Sequence, residues 1–209
     1  MTTPTYVPAR TAVLLLDPYN DFLAEGGKLW PAVEPVATAT GTLDHMKAVI
    51  AAARSAHVKV FFVPHRRSMP GDFEHWQSPN PSQQGAARIQ LFAKHTWGGS
   101  FHDDFEPLDD DVVIAEHWAQ SGFANTDLDQ QLKQHGIDHV IVIGLLANTC
   151  AESTGRFAME LGYHVTLVTD ATAAFSAEAM HAAHAINGPA FAHAILTTDA
   201  LVAALAGVR

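Results

Sequence analysis

The chain is short of the residues on which several protein classes depend. Cys150 is the single cysteine among 209 residues, so no intramolecular disulfide can form and a reducing compartment is the natural setting. Lys and Arg together number 12 against 22 Asp and Glu, a formal charge of −10. With no basic run, the clustered cations that nucleic acid or anionic lipid would need are missing. Charged residues reach only 16%, which argues against both a disordered chain and a charge-rich coiled coil. Long hydrophobic runs are absent as well: the longest are strand-sized, far below the roughly 20 residues of a membrane helix. The opening Met1-Thr2-Thr3-Pro4-Thr5-Tyr6 also lacks the basic stretch of a signal peptide. These absences describe a soluble, cytoplasmic protein with neither a membrane nor a nucleic-acid partner.

What is present is a large apolar fraction, 48%, enough for one sizeable domain over residues 1–209. Short apolar runs alternate with Ala-rich helical stretches. Residues 12–16 form a continuous apolar run closed by Asp17-Pro18, the pattern of a strand buried on both faces. Further strands are predicted at 58–63, 112–115, 139–143, 165–168 and 194–196. Helices are predicted over 37–56, from the Thr126-Asp127 cap to Gly136, from Asn148 to Gly162, from Ser176, and after Thr198. Six strands alternating with helices, without hairpin signals, indicate an α/β protein with a parallel sheet covered on both faces. The irregular stretch 64–107, rich in Pro and Gly, has the character of a lid or pocket wall.

In such sheets the ligand sits beyond the carboxyl ends of the strands, which directs attention to Asp17, His65, Glu116 and the turn from Gly144 to Cys150. Cys150 falls in the first turn of a helix that follows a strand. Unpaired backbone N–H groups and the helix dipole there favour a thiolate and could hold an oxyanion, although a lone cysteine is by itself equally a small buried hydrophobe. Asp17 ends a fully apolar strand, so its carboxylate must either face a site or cap the following turn. A possible base and a possible nucleophile thus share one sheet edge.

These residues carry a resemblance. Leu16-Asp17-Pro18-Tyr19-Asn20-Asp21-Phe22, Ser121-Gly122-Phe123 with Thr126-Asp127-Leu128, Gly144-Leu145-Leu146-Ala147-Asn148-Thr149-Cys150 with Glu152-Ser153-Thr154, and Asp170-Ala171 are similar to motifs of the isochorismatase-like cysteine hydrolases. They cover nearly the whole chain in the family's order. The resemblance implies a three-layer α/β/α, Rossmann-like fold with a six-stranded parallel sheet and no cofactor. It implies cleavage of a C–N bond in a small-molecule amide through an acyl-thioester. Cys150 would be the nucleophile, Asp17 the base, and the N–H groups of Leu146 and Cys150 the oxyanion hole. It further implies a non-proline cis peptide at Leu145-Leu146 and a homo-oligomer, a dimer or larger.

Two departures stand out. The family's catalytic Lys after the third strand is missing, and Glu116 is assigned to its place. A unit charge about 4 Å away is worth roughly 4 kcal/mol at an effective dielectric near 20, more than the 0.3 to 2 kcal/mol or so of a helix terminus. An ionised Glu116 would therefore disfavour the thiolate. A singly protonated Asp17–Glu116 pair, in which Glu116 tunes Asp17, resolves this; alternatively His117 turns inward and supplies positive charge. The second departure is the lack of the Asp-x-His metal pattern of nicotinamidases around His65, so no metal is expected. His181 and His184, at i, i+3, lack a third ligand. Tyr19, Phe22, His65, Trp76, Trp97, His117, Trp118 and Phe123 are candidates to line the pocket, and Arg66 and Arg67 to anchor an acidic substrate. Two other readings remain open: a vinyl-ether hydrolase that uses Asp17 without the thiol, and a catalytically silent binding or assembly module.

Overall fold

The computed structural model describes residues 4–207, so the reading of Met1-Thr2-Thr3 lies outside the described residues. Six strands form one all-parallel sheet: β1 (Thr11–Leu16), β2 (Lys59–Val63), β3 (Val112–Val113), β4 (His139–Leu145), β5 (His164–Ala173) and β6 (Ala194–Leu196), in the order β3-β2-β1-β4-β5-β6. The helices are α1 (Asn20–Leu23), α2 (Trp30–Thr40), α3 (Thr42–Ser55), α4 (Pro81–Ile89), α5 (Leu128–Gln134), α6 (Glu152–Glu160), α7 (Ala177–His181) and α8 (Thr198–Ala206). This is the expected three-layer arrangement.

Alternation along β1 explains the layers. Val13 and Leu15 pack into one core with Val33 and Val36 of α2, Met46 and Val49 of α3, and Leu201 and Leu205 of α8. Ala12, Leu14 and Leu16 enter the opposite core with Leu128 and Leu132 of α5 and Ala158 of α6. A strand that must fill two cores reads as an unbroken apolar run, which is why β1 and β4 were legible. No helix among the described residues is long and apolar enough to cross a membrane.

The structure differs from the sequence expectations at several places. The third strand, foreseen over 112–115, ends at Val113. The single helix foreseen over 37–56 is two, because Gly41 adopts a left-handed conformation with φ 64° between α2 and α3. The stretch 64–107 contains α4, opened by a capping box in which Asn80 and Gln83 exchange side-chain to backbone hydrogen bonds of 2.9 and 3.0 Å. The helix carrying Cys150 begins with a π turn, Ala147–Ala151, whose N-cap is Leu146 rather than Asn148.

The strand order reverses between β1 and β4, and the chain's chemistry-bearing residues sit at that crevice. Leu16 pairs with Gly144 there. Gly144 has φ 102°, and a Cβ on it would collide with the Leu16 carbonyl oxygen, so only glycine lets the two strand ends approach. Gly144→Ala is expected to lower unfolding free energy by about 2 kcal/mol or more, read by urea denaturation. A loss below about 0.5 kcal/mol, within the range of an unremarkable substitution, would contradict this account of the crevice.

Candidate active site

β1 delivers Asp17 to the crevice in a left-handed conformation, φ 52°, with its side chain fully buried. Non-glycine residues at positive φ are uncommon and concentrate where the surroundings over-determine them. Here the Asp17 N–H donates to the Val63 carbonyl and its own carbonyl accepts from Tyr19 N–H, at 3.2 and 2.7 Å. The rest of the Asp17 motif builds the wall. Asn20 donates to the Trp97 carbonyl at 2.9 Å, and the Asp21 carboxylate accepts from the Phe92 and Lys28 N–H groups at 2.7 and 3.1 Å. These bonds tie the 92–101 segment to the end of β1.

β4 ends in the cis peptide Leu145-Leu146 foreseen from the resemblance. Leu146 then accepts hydrogen bonds from the N–H groups of Thr149 and Ala151, closing the turn that presents Cys150. The thiol is buried, and burial pushes its pKa well above the ordinary value. The adjacent Asp17 carboxylate raises it further, while the Leu146 N–H and the Thr149 hydroxyl oppose the rise. Cys150 is therefore held as a thiol.

The third member is His117, not Glu116. His117 Nε2 donates to Asp17 Oδ1 at 2.9 Å, with both side chains fully buried. One donor atom from each of Asp17, His117 and Cys150 lies within 4.8 Å of the other two. The carboxylate pair expected between Glu116 and Asp17 is not formed. Glu116 instead accepts from the Arg67 side chain at 2.6 Å and from the Arg67 N–H at 3.0 Å.

The physical reason is a bulge. Phe61 pairs with Val112 and Phe62 with Val113, an offset of 51, whereas His65 pairs with His117, an offset of 52. One extra residue has entered the outer strand between them. At constant offset Glu116 would stand beside His65; with the bulge His117 does, fixed by His117 N–H to the Pro64 carbonyl at 2.9 Å and Arg66 N–H to the His117 carbonyl at 2.8 Å. The amide freed near the bulge, Ala115 N–H, donates to Asp127 Oδ1 at 2.7 Å. Asp127 thus stabilises the irregularity that turns His117 inward, instead of capping α5 with its side chain.

A cavity of about 390 Å³ opens over these groups, lined by Asp17, Cys150, Phe22, His65, Leu146, Phe92 and the α4 side chains Ala86, Arg88 and Ile89, with Gln120, Thr149 and Phe175. Of the pocket candidates, Phe22 and His65 line it. Burial and the neighbouring His117 push the His65 pKa down, and its Nδ1 donates to the Arg66 carbonyl at 2.8 Å. Tyr19 lies beneath, stacked on Phe92 and donating to the His65 carbonyl at 2.8 Å. Trp76 and Trp118 stack on each other in a neighbouring cavity. Trp97 is exposed, and Phe123, part of the α5–α6 core, stacks on the exposed Phe157. Arg66 is paired with Asp72 and covers Trp118, so the arginine that lines the cavity is Arg88. Of the sequence signals that could have pointed to the α4 wall, the Asn80-Pro81-Ser82-Gln83 cap is the clearest.

A family model described as the isochorismatase domain matches residues 11–199. The chain belongs to the isochorismatase family. It is 32% identical over 183 residues to ureidoacrylate amidohydrolase RutB of Agrobacterium fabrum, covering 80% of this chain and 78% of the relative. Among solved structures, a cysteine hydrolase from Pseudomonas syringae pv. phaseolicola matches the full length of both chains with TM-score 0.80 at 24% identity, a likeness of fold. N-carbamoylsarcosine amidase from Thermoplasma acidophilum matches 91% of this chain and 97% of its own with TM-score 0.67 at 26% identity. This member of the isochorismatase family is an enzyme of the hydrolase type, with histidine in the buried position beside Asp17.

Because the Cys150 pKa is raised, its alkylation by iodoacetamide is expected to keep accelerating beyond the ordinary thiol midpoint of about 8.5. Glu116→Gln should leave that profile unchanged while weakening the fold by only about 0.5 to 1 kcal/mol, the value of a partly exposed ion pair. A rate plateau at acid or neutral pH, or a profile displaced by Glu116→Gln, would contradict the assignment.

Proposed function

We propose that this chain is a cysteine hydrolase that cleaves the C–N bond of a small amide through an acyl-thioester on Cys150. The observation that carries the reading is the buried cluster of Asp17, His117 and Cys150, of which Asp17 and Cys150 line one cavity. Asp17 Oδ1 is occupied by His117, while Oδ2 has no hydrogen-bond partner among the described residues, as a proton acceptor requires. Asp17 takes the thiol proton as sulfur attacks the carbonyl carbon. The N–H groups of Leu146 and Cys150 hold the oxyanion, and the amine leaves with the proton from Asp17. Water, deprotonated by Asp17, then attacks the thioester, and the thiolate leaves and recovers its proton. His117 keeps Asp17 oriented throughout.

The substrate class follows from the relatives' names and from the cavity. Ureidoacrylate and N-carbamoylsarcosine are both N-carbamoyl compounds with a carboxylate. The cavity offers apolar walls and, at its exposed rim, the positive charge of Arg88. An N-carbamoyl or simple amide acid fits that combination. A single domain, a homo-oligomeric state and a reducing, cytoplasmic setting, which a lone thiol nucleophile needs, belong to the same proposal.

A panel of N-carbamoyl acids and simple amides tests it. Rapid-quench intact-mass analysis should show an acyl adduct on wild type, absent in Cys150→Ala. Turnover should fall by at least about 10³ in Cys150→Ala and by about 10² to 10⁴ in Asp17→Asn. Ether cleavage that survives Cys150→Ala would support the vinyl-ether hydrolase, and no turnover of any of these substrates would support the silent module.

A further inference from the structure

The exchange of a cation for an imidazole beside Asp17 gives the cluster a second capability. A lysine ammonium has no lone pair to offer a metal, whereas neutral imidazole, thiolate and carboxylate are the ligands from which zinc sites are built. We infer that Asp17, His117 and Cys150 form a binding site for a thiophilic divalent cation, of which Zn²⁺ is the representative, and that the ion competes with acylation at the same sulfur.

The donor atoms lie within 4.8 Å of one another. Zinc bonds of about 2.0 to 2.3 Å place tetrahedral ligands roughly 3.3 to 3.8 Å apart. The Asp17–His117 contact of 2.9 Å must therefore open by a few tenths of an ångström, and the thiol must close by at most about 1.3 Å. Both changes are of side-chain size. Two buried atoms of the cluster, Asp17 Oδ2 and His117 Nδ1, have no hydrogen-bond partner among the described residues. The first is a spare carboxylate donor, and the second can take the proton that Nε2 gives up when Nε2 becomes a ligand. The thiol proton is released to solvent. Three protein ligands leave a fourth position facing the cavity for water, the arrangement of an open rather than a closed zinc site. His65 lines the same cavity with Nδ1 committed to the Arg66 carbonyl. That bond leaves its Nε2 as the acceptor nitrogen for a metal-bound water.

Occupation by the ion does not depend on the amidase reading; inhibition of turnover does. Cys150 being the sole cysteine, its alkylation reports on this sulfur alone. The test is the rate of iodoacetamide alkylation of the full chain, by intact mass, in buffered free Zn²⁺ and again after a chelator. In wild type, low-micromolar Zn²⁺ is expected to slow alkylation at least tenfold, with full recovery on chelation. His117→Lys and Asp17→Asn should each lose that protection. As a readout independent of alkylation, Co²⁺ should give wild type a sulfur-to-metal charge-transfer band in the near ultraviolet, absent in Cys150→Ser and in His117→Lys. Circular dichroism of each variant verifies its fold. An alkylation rate in wild type indifferent to Zn²⁺ would overturn the inference. So would equal protection in all three proteins, which would place the ion on other histidines. If alkylation is blocked yet no amide is ever turned over, the metal site stands and the amidase proposal falls.

Discussion

The arrangement depends on one hydrogen bond, from His117 to Asp17, made between two fully buried side chains. A carboxylate buried without a partner costs about 3 to 5 kcal/mol, comparable to the net stability of many domains. The position beside Asp17 must therefore carry a donor, which an apolar side chain or an ionised carboxylate cannot supply. The apolar strands β1 and β4 create this constraint by burying the crevice, and Gly144 tightens it by allowing the Leu16 and Gly144 backbones to touch. Asp127, through the bulged Ala115 amide, supports the geometry that satisfies it.

The same burial sets the character of the Cys150 sulfur. Desolvation and the Asp17 charge outweigh the Leu146 and Thr149 donors, so the sulfur rests protonated. In the proposed mechanism proton transfer accompanies attack, and the quality of Asp17 as an acceptor matters more than any standing thiolate. A hydrogen bond to Oδ1 leaves Oδ2 for that task. Histidine provides the bond with a side chain that also has a lone pair, which is the difference from lysine that opens the cluster to metal ions.

Much of the fold was legible in the sequence, because strands that fill two cores are uninterrupted apolar runs and their ends are marked by Asp17-Pro18, Val63-Pro64 and Gly144. Asp17 and Cys150 were legible from the same runs: Asp17 lies one residue beyond β1, and Cys150 in the turn that follows β4. His117 stood only as the alternative to Glu116, since counting residues along the outer strand assumes a constant register, and a one-residue bulge between Val113 and His117 moves every later side chain to the other face. The count led to Glu116, whose carboxylate in fact serves Arg67. The pocket wall was missed for a different reason. Its contacts come from α4, a helix hidden in a Pro-rich stretch and recognisable only by its cap, while the tryptophans that drew attention by size stack beside a neighbouring cavity or lie in solvent.

The central claim is that the His117 N–H orients Asp17 as the proton acceptor. Single-turnover acylation of Cys150, followed by quenched mass analysis, tests it most directly when His117→Gln is compared with His117→Leu. Glutamine can place an amide N–H close to the imidazole Nε2, and leucine fills the space without a donor. The account predicts acylation within about tenfold of wild type for the glutamine variant and a loss of about 10² to 10⁴ for the leucine variant, both folded by circular dichroism. Equal rates in the two variants would contradict it.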